Sequence, residues 1–176
     1  CARFHFFSNT FVTEDLRTLL RGVSASLSVE QLQDAYCGFI VVKPLPRTFI
    51  GRTCLETPPK DPSRHYPSGQ THEANLYGIR LQIENTLPFQ EQDSVVAACA
   101  TSALWSAFHA TGKVFQHAIP SPVEITKTAT EHLPAESRAL PNRGLHAHMM
   151  ALAIRSVGLE PYHVRVKNPM VLVGTA

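Results

Sequence analysis

The sequence predicts an α+β fold in which a central cysteine-bearing helix packs against an antiparallel sheet, with a small α+β segment in front of it. Three observations carry that expectation. Runs rich in β-branched and aromatic residues, CGFIVVKPL and TFIGRTCLE, sit on either side of a proline turn in the first third of the chain. Capped, amphipathic helix patterns follow Ser121 and Gly144 in the last third. Between them lies AACATSALWSAF, whose small residues let a helix pass close to its neighbours, so it reads as a buried central helix.

Bulk properties narrow the function classes. At 176 residues the chain can bury one good core, or one core and a small appendage. An apolar content of 44% against 17% charged residues argues for a folded protein and against disorder. The net charge of +2 is small and its basic residues are scattered, so neither nucleic acid nor a membrane surface is an expected partner. The longest apolar run, GFIVVKPL, is broken by Lys43 and Pro44 and falls far short of the roughly 18 residues of a membrane span. Cys1, Cys37, Cys54 and Cys99 show no CxxC and no zinc-like spacing. They could form two disulfides or remain four free thiols; a chain of this length needs no staples, so free thiols are expected, with no metal, no cofactor and a cytoplasmic location. Neither end of the chain, Cys1 or Ala176, looks like a natural terminus, so a fragment, or a numbering that closes up missing loops, is expected.

In chain order, residues 3–7 alternate as a short strand. Thr13 is placed to cap a helix carrying Glu14 and Asp15 in its first turn and Leu16, Leu19 and Leu20 on one face, with Gly22 as its stop. Ser28 and Gln31 form a capping box for a second helix ending near Gly38. CGFIVVKPL and TFIGRTCLE then form a hairpin, with Gly51 marking a bulge. Residues 1–57 make an N-terminal lobe suited to a protein partner, 58–72 a proline-rich loop or linker, and 73–176 the core, with its C-terminal part expected to be missing. EANLYGIRLQIEN alternates as a half-buried strand. Ser121, Pro122 and Glu124 start a helix, PAESRALPNRG is a loop, and LHAHMMALAIRSVGLEP is an amphipathic helix ended by Gly158 and Pro161. PYHVRVK and NPMVLVG are two further strands.

Cys99 is the leading candidate for chemistry. A thiol near the start of a helix sits in partial positive charge that favours the thiolate, provided that the helix begins near Ala97. Gln92, seven residues earlier, or Gln90 offers a carboxamide to a developing oxyanion. Asp93 fits a helix cap better than a catalytic acid. Such a nucleophile needs an imidazole within hydrogen-bond reach. His109 lies about 15 Å along the same helix and is excluded as that base. His117 and His132 fall in or beside loops. His146 and His148 are two apart and, on a helix, would point opposite ways. His163, flanked by Tyr162 and Val164 on an expected strand, is the best base within the chain.

The order glutamine, cysteine, small-residue helix, tryptophan resembles the papain-like cysteine peptidase superfamily. Gln92 stands one residue further from Cys99 than in papain's pattern, and CATSALW replaces the papain signature. Gly144 to Gly158, followed by LEPYHVRV, resembles the double-glycine bacteriocin-processing (C39-like) layout, so the resemblance covers residues 87–174. It implies a papain-like fold and a thiol hydrolase cleaving peptide or isopeptide bonds in a peptide or protein substrate. It also implies a catalytic histidine on a strand after an apolar strand such as PMVLVG. The sequence stops at Ala176, where that histidine is due, so the resemblance places the true base beyond Ala176 and leaves His163 one strand too early. Two alternatives use the same parts: a catalytically inactive papain-like binding or scaffold module, and a cysteine-dependent acyl transferase or amidase.

Overall fold

The computed structural model describes residues 1–23, 26–57, 70–91, 99–133 and 144–164, arranged as an α+β fold with antiparallel sheets and five helices. Strand β1 (Ala2–Phe7) pairs antiparallel with β2 (Tyr36–Val42), which pairs antiparallel with β3 (Ile50–Leu55). The β2–β3 register changes between Ile40↔Thr53 and Val42↔Ile50, which puts one extra residue on β3 at Gly51–Arg52, where the glycine predicts a bulge. A second bulge, on β2 at Cys37, separates Phe6↔Gly38 from Phe7↔Tyr36. Gly38 there has φ +120°, and a Cβ at this position would overlap the Cys54 carbonyl oxygen and approach Leu55 Cα to 2.9 Å. Only glycine fits that position.

Helices α1 (Thr13–Leu20) and α2 (Val29–Asp34) lie between β1 and β2 in the chain. Thr13 is the first helical residue of α1 and not its cap; Val12 holds the cap position without a side-chain hydrogen bond. The carboxylates Glu14 and Asp15 complement the first turn. At the other end Gly22 takes φ +70°, and its amide bonds Leu19 O while that of Val23 bonds Thr18 O, a Schellman stop. Ser28 and Gln31 make the expected capping box on α2. That helix ends sooner than its pattern predicts, because Tyr36 is already in the β2 ladder.

EANLYGIRLQIEN is not one strand. It is a hairpin of β4 (His72–Leu76) and β5 (Ile79–Ile83), turned by Tyr77 at φ 48° and Gly78 at φ 98°. Two successive positive φ values make a type I′ turn, whose twist suits a two-residue hairpin. Asn75 Oδ1 accepts from the Gly78 amide at 2.8 Å. The inward positions Ala74, Leu76, Leu81 and Ile83 join Leu32, Tyr36, Phe39 and Cys54 in a first core. The hairpin, grouped by sequence with the second half, thus packs into the strand half.

A second core is helical. It is built by α3 (Cys99–Phe115), α4 (Pro122–Thr130) and α5 (Ala147–Ser156), with Trp105, Phe108, Ile125, Ala129, Met149 and Ala153 buried together. Ser121, Pro122 and Glu124 form the predicted capping box and N1 proline of α4. Gly158, at φ 85°, ends α5 with Gly158 N bonded to Arg155 O and Leu159 N to Ile154 O. Leu145 and Ile154 pack on this core as the amphipathic pattern predicts. Helix α3, expected as a buried central helix, is buried along one stripe of Thr101, Trp105, Phe108 and Gly112, while Ala103 and Ala107 are exposed. Residues 161–164 are not strand; the rest of the two C-terminal strands through Ala176, and PAESRALPNR, lie outside the described residues.

Candidate functional site

Ahead of α3, the chain as far as Glu91 is fixed by backbone chemistry. The segment from Asn85 to Glu91 runs along the free edge of β3 and is tied to it repeatedly. Thr86 Oγ1 donates to Leu55 O at 2.6 Å, and Thr53 and Phe89 exchange both N–H···O bonds, at 2.7 and 3.0 Å. Glu91 N donates to Ile50 O at 3.1 Å, and the Glu91 carboxylate accepts from Ile50 N at 2.9 Å. Pro88 is fully buried and Gln90 half-buried on this edge. Residues 92–98, which include Gln92 and Asp93, lie outside the described residues.

Cys99 opens the described part of α3 as a free, exposed thiol. The helix beneath it is held firmly. Two residues on, the Thr101 hydroxyl hydrogen-bonds across to that of Thr126 on α4 at 3.2 Å, and the Trp105 and Phe108 rings fill the helical core. The other cysteines are placed differently. Cys54 has no exposed surface, and burial raises its thiol pKa against the opposing pull of Arg52. Cys37 is half-buried and directs its thiol to Ala35 O, and Cys1 is exposed on the strand side of the chain. All four are free, as expected for a chain long enough to need no staples.

No described imidazole hydrogen-bonds Cys99. His163 is exposed on irregular chain after α5, not on a strand, which removes the strand placement that recommended it as a base. The alternative base, expected beyond Ala176, lies outside the described residues. His117 is joined to Thr111 Oγ1 at 2.8 Å and to Ala118 O at 2.6 Å, which ties the loop after α3 back to its helix. His146 occupies the N-cap of α5 with extended backbone, so the opposite-faces argument does not apply to it. Its ring stacks on His148 with centroids 5.9 Å apart, and His132 meets His148 at 5.7 Å. Among the described residues no group of three His, Cys, Asp or Glu side chains is arranged to hold a metal.

No protein-family model, curated protein or solved structure matches this chain. Its chemistry has to be read from the residues themselves.

Sequence reasoning misses one buried cluster altogether. His72, at the start of β4, and His109, on α3, face each other with ring centroids 5.6 Å apart, each 7% exposed. Trp105 lies against His109 at 4.6 Å, edge to face. Burial, reinforced by the positive charges of Lys113 and Arg52, lowers both imidazole pKa values to about 4. The signal was present in the pattern: His109 follows Trp105 by four residues on the same helix face, and His72 keeps the inward alternation of Ala74 and Leu76.

Proposed function

We propose that the protein is a papain-like thiol hydrolase acting on peptide or isopeptide bonds, with Cys99 as its nucleophile. The observation that supports this is an exposed free thiol carried on a long helix whose opposite stripe is anchored in a core. A nucleophile needs that combination: access for the substrate and a backbone that does not yield when the bond forms. The thiolate attacks the acyl carbonyl, a C–S bond forms, and the amine leaves with a proton to give a thioester. Water then hydrolyses the thioester and regenerates the thiol. Gln92 is assigned to oxyanion stabilisation with the Cys99 amide, and His163 is the in-chain residue assigned to proton transfer.

A panel of fluorogenic peptide amides tests this assignment. Wild-type protein releases the fluorophore and Cys99→Ala does not; equal release by the two proteins refutes the nucleophile.

One feature favours a second reading, a binding module on the same framework. The N-terminal lobe carries a cleft of about 560 Å³ between the loop after β1 and helix α2, lined by Asn9, Val12, Asp15, Leu27, Gln31 and Asp34. Failure of wild-type protein to cleave any member of the panel selects that reading, with residues 1–57 as the partner surface.

A further inference from the structure

The two cores meet sparsely, since α3, α4 and α5 pack mainly on one another, and the strands on one another with α1 and α2. The His72–His109 contact bridges them. His72 belongs to the β4–β5 hairpin, and His109 to α3, the helix that carries Cys99. The rings meet edge to face at 5.6 Å, and the Nε2 atoms of both are buried without a hydrogen-bond partner. Two orphaned polar atoms at one seam are unfavourable for a structure whose other polar groups are largely satisfied. The charged groups that bear on the pair are Arg52 from β3 and Lys113 from α3, both cationic; among the described residues no carboxylate offsets them.

We propose that the His72–His109 pair is an acid-operated release on the seam between the β4–β5 hairpin and α3. Neutral, the two rings fill the seam. A proton on either ring places a buried cation beside its neighbour, Arg52 and Lys113, and the seam relieves this by opening to water. The direction follows from linkage. Closed, each ring titrates at about 4; open and hydrated, each returns toward its ordinary 6.5. Between those limits the open form binds more protons, so each unit of acidification favours it by up to about tenfold per ring. At neutral pH the closed form is undisturbed. Below that window α3, the helix that carries Cys99, loses its hold on the strands.

Trp105, the single tryptophan, lies against His109 and reports the seam directly. Titrating the full chain from pH 7 to 4 and back should give a reversible change in tryptophan emission with a midpoint between the two limits. In the double variant His72→Phe/His109→Phe that midpoint moves below pH 4. Identical midpoints in the two proteins overturn the proposal. If the double variant does not fold, the imidazole proton resonances of the wild type decide. Two histidines that resist titration until the Trp105 change begins support the release. All nine histidines titrating near 6.5 with Trp105 emission unchanged overturn it.

Discussion

Replacing Gly38 with alanine tests the account of the strand half most sharply. Two costs arise there. The backbone sits at φ +120°, a conformation that costs an L-residue about 1–3 kcal/mol. The added Cβ also overlaps the Cys54 carbonyl, a backbone atom in the facing strand that no side-chain rotation can clear. Opening the β2–β3 ladder at Gly38↔Leu55 and Phe39↔Cys54 forfeits one or two hydrogen bonds at about 1 kcal/mol each. The sum is about 2–5 kcal/mol. Gly158→Ala is the control: it shares a positive φ, at +85°, but a Cβ there has nothing within 4 Å. Its cost is the backbone strain alone, about 1 kcal/mol. In urea denaturation, with a slope of about 2 kcal/mol per molar, the Gly38 variant should unfold about 1–2.5 M earlier and the Gly158 variant about 0.5 M earlier. Equal shifts would refute the close approach of β2 and β3 at this point.

Other predictions concern the helical half and the seam. Phe108→Ala empties the centre of the α3–α4–α5 core, where the ring is 2% exposed, and should cost about 3–5 kcal/mol with little change in the strand signals of the circular dichroism spectrum. Cys99→Ala should abolish release from peptide amides while leaving the urea-derived stability within about 0.5 kcal/mol of wild type, as expected for an exposed side chain. Global stability should rise with pH between about 4 and 6.5, because the unfolded histidines bind protons there that His72 and His109 in the fold do not. Full linkage gives about 3 kcal/mol per ring, and partial solvent screening reduces this to roughly 2. Denaturation at pH 7 and pH 5 measures that slope. A slope of opposite sign contradicts the burial of the pair.

Local chemistry made much of the fold legible. The capping boxes at Ser28 and Ser121, the glycine stops at Gly22 and Gly158 and the bulge at Gly51 each need only a few neighbouring residues to be recognised. The Tyr77–Gly78 turn was hidden because alternation runs straight through it: a two-residue turn exchanges one strand for two without disturbing the period of two. Tyr36 ends α2 early because sheet pairing with β1 outweighs the helical pattern that reaches it.

The candidate site was legible only in part. Small residues around Cys99 mark a helix, but they do not tell which face is covered, and Ala103 and Ala107 prove exposed. His146 illustrates the cost of a boundary error: one residue decides whether it points away from His148 or stacks on it. The His72–His109 contact depends on two residues 37 positions apart in the chain, a relation that no local pattern encodes.

The most direct measurement of the central claim compares two thiols of like exposure. Cys1 and Cys99 are both free and exposed, but only Cys99 lies on a helix. With limiting iodoacetamide at neutral pH, peptide mass spectrometry of the full chain should show Cys99 carboxamidomethylated at least about tenfold faster than Cys1. Equal rates at the two positions would mean that the fold does nothing to activate Cys99, and would contradict its assignment as a nucleophile.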